Sequence, residues 1–332
     1  MILNTGQRTD IPAFFPEWLA TRIREGNVLV RNPYNPSLVT RYEINPAVVD
    51  AIGFCTKNPA PFFPYLDLVK DFEQFWYVTI TPYGKDIEPG VPEKSEVIES
   101  FKYLSSVVGA GACGWRYDPI FIDSKYTVDF HLRAFEKMAS ELEGFTKIVV
   151  ISFIDLYEKV KRNFPEVREV SDKDKLFLGR GIIKIAGDHG MLVKPCGEGD
   201  FLAPYGADCG GCMTIRDYER AIGKKLKVPN YKPSRKECAC YLSADIGAYD
   251  TCRHFCKYCY ANNDLTQVAR NQKLHDPASP FLIGGSLPGD KLHIAEQKSW
   301  VDNQLELRLS KINPSCKKFT TLFLMLPRRT SS

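Results

Sequence analysis

Cys252, Cys256 and Cys259 stand in the stretch CRHFCKYC, with three residues between the first two and two between the last two. Thiolates are soft ligands, suited to iron–sulfur clusters or zinc. Three of them at this spacing can wrap one face of a four-iron, four-sulfur cluster. The fourth iron is then left open to a small molecule, whereas a cluster that only carries electrons generally has all four irons capped by protein. Structural zinc is the competing chemistry. It uses C-x2-C pairs, and Cys256 with Cys259 would be one such pair, leaving Cys252 over. The complete triplet favours iron–sulfur. His254 lies inside the same loop, where it would tune or shield a cluster rather than bind it.

Cys196, Cys209, Cys212, Cys238 and Cys240 lie upstream, in KPCGEG, DCGGC and ECAC. The C-x2-C and C-x-C pairs can jointly hold a second metal, either zinc or another iron–sulfur cluster. Cys212, Cys238 and Cys240 are the expected members, with Cys196 or Cys209 as the fourth. The bland alternative is that some are small buried residues. Cys55, Cys113 and Cys316 are isolated and read as structural. The histidines His131, His189, His254, His275 and His293 show no ligand spacing.

These side chains need elements to position them. Strand-like runs alternate with amphipathic helix-like runs along most of the chain: MILNT, VVDAIGFCT, FWYVTIT, CGWRYDPIFI, KIVVISF, GMLVKP and CYLSADIG. VLVRN and LVTRYEI read as an inserted hairpin, and a helical stretch is expected near 62–72. Regular alternation implies parallel strands with crossover helices. The fold class expected is therefore α/β, a (β/α) barrel, complete or incomplete, over residues 1–264, with a doubly wound open sheet as the alternative. Residues 265–332 read as a tail wrapping the barrel.

Four of the strands end in polar motifs. The first gives Arg8, Thr9 and Asp10, the second Lys57 and Asn58, the third Thr79, Thr81 and Tyr83, and the fourth Arg116 and Asp118. Active sites of barrels are built at these strand ends. Asp10 and Asn58 each precede a proline and a helix and can be simple caps, and Arg116 with Asp118 can be a plain ion pair. Together the motifs make a polar floor with fixed cations, suited to a small polar or anionic substrate.

Net charge is +4, with 25% charged and 44% hydrophobic residues. That balance suits a globular protein and argues against a nucleic-acid groove. Lys224, Lys225 and Lys227 read as a solvated helix end. The N-terminus lacks a signal-peptide pattern, and no uninterrupted apolar run reaches about 18 residues. A cytoplasmic protein with reduced cysteines is expected.

The pattern C-x3-C-x-aromatic-C resembles the signature of radical S-adenosylmethionine enzymes. The resemblance implies that Cys252, Cys256 and Cys259 hold a 4Fe-4S cluster and that Tyr258 lies against the adenine of S-adenosylmethionine. It implies that a reductant such as flavodoxin or ferredoxin supplies one electron. The resulting 5′-deoxyadenosyl radical would abstract hydrogen from a substrate. Over roughly residues 5–265 the chain is also similar to an uncharacterised prokaryotic family filed as a domain of unknown function. The shared features are RTDIPAF, TKNP, TPYG, WRYDP and the late cysteines. Cys55 stands where that family is expected to carry tryptophan.

In radical S-adenosylmethionine enzymes the triplet follows the first barrel strand, whereas here it follows the last expected one. A barrel offers a reason: its last strand lies beside its first, so the order can be circularly permuted. The N-terminal strand would then occupy the next position, and its GQRTD motif would face the methionine end. On that reading Gln7 or Asp10 accepts from the ammonium and Arg8 contacts the carboxylate. The usual glycine-rich acidic motif is absent, so this assignment is positional. Catalytic candidates are Arg8, Asp10, Lys57, Arg116 and Asp118. Two alternatives stand beside this one. One is nucleic-acid modification of the photoproduct-lyase kind. The other is an iron–sulfur electron-transfer or structural metal-binding protein without S-adenosylmethionine, which would take its fourth cysteine from the upstream group.

Overall fold

A computed structural model describes residues 1–230, 238–241 and 244–302. Its elements in chain order are β1 (Ile2–Asn4), α1 (Ile11–Phe14), α2 (Pro16–Glu25), β2 (Asn27–Arg31), β3 (Leu38–Glu43), β4 (Ala51–Thr56), β5 (Gln74–Thr79), α3 (Lys94–Val108), β6 (Cys113–Ile120), α4 (Val128–Leu142), β7 (Ile148–Phe153), α5 (Glu158–Asn163), α6 (Asp172–Asp188), β8 (Leu192–Pro195), α7 (Ile215–Ile222), α8 (Leu265–Lys273) and β9 (Lys291–Ile294). The stretch expected to be a helix near 62–72 is instead a run of 3-10 turns, Ala60–Val69. Pro61 and Pro64 remove the amides that an α-helix would use there.

Six strands form one parallel sheet in the order β1-β4-β5-β6-β7-β8. β4, β5 and β7 are buried along almost their whole length, as strands covered on both faces must be. The order never reverses, so the sheet has none of the switch points of a doubly wound fold. β2 and β3 make the expected hairpin, to which β9 adds a parallel edge.

The segment before the cysteine triplet lies on the far side of β1. Asn4 bridges Asp245 in parallel, the Asn4 amide donates to Ala244 and the Ile246 amide to Asn4. The expected seventh strand, CYLSADIG, is thus a single bridge, and residues 242–243 lie outside the described residues. Among the described residues no pairing joins β8 to this segment. The closed barrel expected as one form of the fold is therefore not formed among the described residues. The sheet is an open, partial (β/α) arrangement.

One reason is what fills the hollow face. Asn4, Gly53, Phe75, Tyr77, Arg116 and Lys194 share that face by register. α7 and the residues before it pack on it. Tyr218 donates to Asn4 Oδ1 at 3.0 Å and meets Phe75 edge-on; the Tyr77 hydroxyl donates to the Cys212 carbonyl, and Lys194 pairs with Asp217 at 2.6 Å. A side chain at Gly53 would collide with the Tyr218 hydroxyl and Met213. The opposite face packs on helices and turns, with Phe54 stacked on Trp76 and Trp115 on Phe135 of α4.

Residues 265–302 pack back on the N-terminal part. Trp18 of α2 donates its indole N–H to the carbonyls of Ser279 and Phe281, and Asp50 accepts from Ser299 and the Trp300 amide. The rest of the expected tail, 303–332, and with it Cys316, lies outside the described residues.

Candidate functional site

The cysteine loop is clamped at its base. Asp250, held at φ 57°, accepts from the Asn263 amide and, at 2.6 Å, from its side chain. Asn262 Nδ2 reaches the Cys252 carbonyl at 2.8 Å, and Asn271 and Gln272 of α8 hold the carbonyls of Asp250 and Thr251. Phe255, inside the loop, also takes a left-handed conformation (φ 54°). Such geometry costs roughly 1 kcal/mol or more for a non-glycine residue and persists only where its surroundings enforce it.

The three thiols act on one another. Burial pushes all of them up from the usual thiol range, and the neighbouring sulfurs add to the rise for Cys252 and Cys256. Buried thiolates without a cation are costly, so this site ionises when positive charge arrives to meet it. The Ala261 amide already donates to Cys259 Sγ at 3.3 Å.

The residues after β5 run alongside the loop. The Gly90 amide donates to the His254 carbonyl at 2.9 Å, the Lys257 amide to Ile87, and a side chain at Gly90 would strike the backbone of Arg253 and His254. Glu88, in the same segment, is 1% exposed. It accepts from Lys57 at 2.8 Å, from Thr81 at 2.7 Å, and from Lys94 and the Tyr258 hydroxyl. Burial alone would raise its carboxyl; the two lysines outweigh that and hold it at about 2. Lys57 also sits 5.5 Å over the Tyr258 ring and is close enough to Cys256 to lower its thiol.

Asp10 ties three segments together. One oxygen caps α1 through the Ala13 amide at 3.1 Å; the other accepts from the Lys57 amide at 2.7 Å and His254 Nε2 at 2.8 Å. Arg8 donates to the Asp245 carboxylate at 2.6 Å and to its carbonyl. The Gln7 carbonyl accepts from Tyr260 at 2.6 Å. Arg116 forks onto Asp118 at 3.1 and 2.5 Å and lies over the Tyr77 ring.

A second group of cysteines gathers beyond β8. The thiols of Cys196, Cys212 and Cys240 lie within 4.8 Å of one another, with Cys212 at 3.1 Å from each of the others. Cys240 also hydrogen-bonds Cys238. Cys209 is outside the three-thiol group. Arg116 Nη1 reaches Cys212 Sγ at 3.7 Å. Burial opposes the Arg116 charge, but Asp118, Cys212 and Cys196 together hold it well above its ordinary range. Hydrogen bonds from Cys196 and Cys212 push the Cys240 thiol down to about 7. Three such thiols can hold a metal ion. His131, His189 and His275 serve elsewhere, as a buried partner of Tyr117, a surface link to Glu136 and Glu143, and a donor to Leu282.

Glu88, Lys94 and Asp245 are the site residues that sequence reasoning missed. Glu88 stands in IEPG, where no periodicity singles it out, and Asp245 was lost inside a presumed strand. The available signal was proximity, because both flank motifs already recognised.

The fold and site define a parallel α/β protein with polar strand ends and a buried thiol group able to bind metal. Residues 2–261 match the family described as a domain of unknown function, DUF1848, and the chain belongs to it. Among curated proteins the chain has no match. No helix among the described residues is long and apolar enough to cross a membrane.

Proposed function

We propose that the protein is an iron–sulfur enzyme of the radical S-adenosylmethionine type, with Cys252, Cys256 and Cys259 holding a 4Fe-4S cluster. The observation that carries this reading is the position of the triplet. It follows the segment that pairs with β1, at the C-terminal end of a parallel sheet, where a permuted order would put it. The cysteines of the upstream group are engaged with one another, which argues against their capping a fourth iron.

The donor set suits the group by its chemistry: three thiols on one short clamped loop, Cys256 buried and Cys252 and Cys259 half-buried, with an amide already aimed at the Cys259 sulfur; in this structure they are not drawn together as Cys196, Cys212 and Cys240 are. Such a cluster supplies the electron that cleaves S-adenosylmethionine. The chain's own residues hold the loop and shape the space beside it. Asp10 anchors the loop to β1 and β4 through His254 and the Lys57 amide. Glu88 fixes Tyr258, so that the ring offers a set face to an adenine. Arg8, Lys57, Lys94 and Arg116 are balanced by Asp10, Glu88, Asp118 and Asp245. A near-neutral field of alternating sign suits a zwitterionic aminocarboxylate and a small polar substrate better than a polyanion. Arg8, Lys57, Arg116 and Asp118 are the residues proposed to face these ligands.

The test is made on protein reconstituted without oxygen and reduced with dithionite. S-adenosylmethionine is added and 5′-deoxyadenosine and methionine are assayed, with Cys256→Ala as control. Product that vanishes in the variant supports the reading. A reducible cluster whose electron paramagnetic resonance spectrum ignores S-adenosylmethionine overturns it. The second reading, a metal-binding or electron-transfer protein without S-adenosylmethionine, is favoured by the Cys196, Cys212 and Cys240 group.

A further inference from the structure

We propose that Cys196, Cys212, Cys238 and Cys240 bind a single zinc ion, and that this ion clasps together the two edges of the open sheet. Their place in the fold carries the argument. Cys196 directly follows β8, the last strand on one side, and its amide still donates to Ile151 of β7 at 2.8 Å. Cys238 and Cys240 lead into Ala244–Ile246, the segment paired with β1 on the other side. Cys212 sits between them, just ahead of α7 on the hollow face. No strand pairing spans this gap among the described residues, and the thiols meet across it.

Spacing decides between one ion and a cluster. Tetrahedral zinc at about 2.3 Å from each sulfur sets neighbouring sulfurs about 3.8 Å apart. Cys212 lies 3.1 Å from Cys196 and from Cys240, so these two pairs need to open by only about 0.7 Å to receive the ion. A four-iron cluster interposes a cube of iron and sulfide and spreads its thiolates further. Four thiolates around a divalent ion carry excess negative charge, and Arg116 donates to one of them. Outer-shell donors of this kind orient ligands and tune a site.

Metal content is measured by plasma mass spectrometry on anaerobically purified wild-type protein and on Cys240→Ser, Cys238→Ala and Cys256→Ala. About one zinc per chain is expected. It should persist in Cys256→Ala, whose iron falls, and be lost from Cys240→Ser. Because Cys240→Ser can fail to fold, metal-free wild type is also titrated with cobalt(II). Sulfur-to-cobalt charge transfer and tetrahedral ligand-field bands, both erased by zinc, are expected, with weaker binding in Cys238→Ala. Removing the ion should speed amide exchange at Asn4 and Ile246; unchanged exchange there sinks the clasp. Zinc that is absent, or that departs with Cys256, overturns the site. About eight irons per chain, half of them dependent on Cys240, would replace it with a second cluster. The zinc count is independent of 5′-deoxyadenosine formation, so the two proposals fail separately.

Discussion

Asp10→Asn separates a residue that builds the site from one that touches ligand. The side chain keeps its volume and loses its charge. In the native protein one carboxylate oxygen caps α1 and the other accepts two donors, from Lys57 and His254. Asparagine has one acceptor oxygen. If it faces Lys57 and His254, its NH2 confronts the Ala13 amide and the cap is lost, at about 1 kcal/mol. The two remaining bonds fall from charge-assisted to neutral strength, a loss of about 1 kcal/mol each or slightly more. The sum is about 3–4 kcal/mol. Unfolding entropy of about 2.1 cal/mol/K per residue gives about 0.7 kcal/mol/K for 332 residues, hence a melting temperature lowered by about 4–6 °C. Differential scanning calorimetry on metal-free protein reads this directly, and iron retention after reconstitution should fall with it. Melting within a degree of wild type, with a full iron load and weakened S-adenosylmethionine binding, would refute the reasoning and make Asp10 a ligand contact.

Glu88→Gln should destabilise by about 3–5 kcal/mol, because Lys57 and Lys94 lose their shared buried carboxylate; denaturant unfolding measures it. The folded carboxyl of Glu88 is depressed to about 2, so its stabilisation is present above the unfolded value near 4.5 and lost as pH falls from there toward 2. The Gln variant should lack that loss. Burial lowers His131 to about 4, so the unfolded chain binds more protons between about 6.5 and 4, and wild type should lose about 3 kcal/mol as pH falls across that window. His131→Gln should flatten the same stretch of the stability curve. Gly90→Ala places a methyl against the Arg253 and His254 backbone; it should shift the cysteine loop and reduce iron retained after gel filtration, whereas Gly111→Ala, which meets no neighbour, serves as a packing control.

The sheet was legible because its strands are short apolar runs with polar ends, and periodicity alone separates them. The triplet and the upstream cysteines were legible as chemistry. Closure was not, since it depends on pairing between distant edges rather than on any local pattern. α6 was also missed: Gly179 and Gly181 blur its helical signal. The structure shows why they are there, with Leu202 and Leu132 packed where their side chains would stand. Glu88 was invisible for a related reason, as two of its four partners, Lys57 and Tyr258, lie 31 and 170 residues away.

The pairing of the N-terminal strand with the segment before the cysteines has a bearing on how the protein is made. Arg8 and Asp245 are 237 residues apart, and their contact closes only once nearly all of the sheet has been translated. Synthesis at about 5–20 residues per second leaves the six-stranded sheet waiting before the cysteine loop emerges. Assembly of the thiol loop therefore follows completion of the six-stranded sheet, and it waits further for Asn271 and Gln272 of α8, which hold its base.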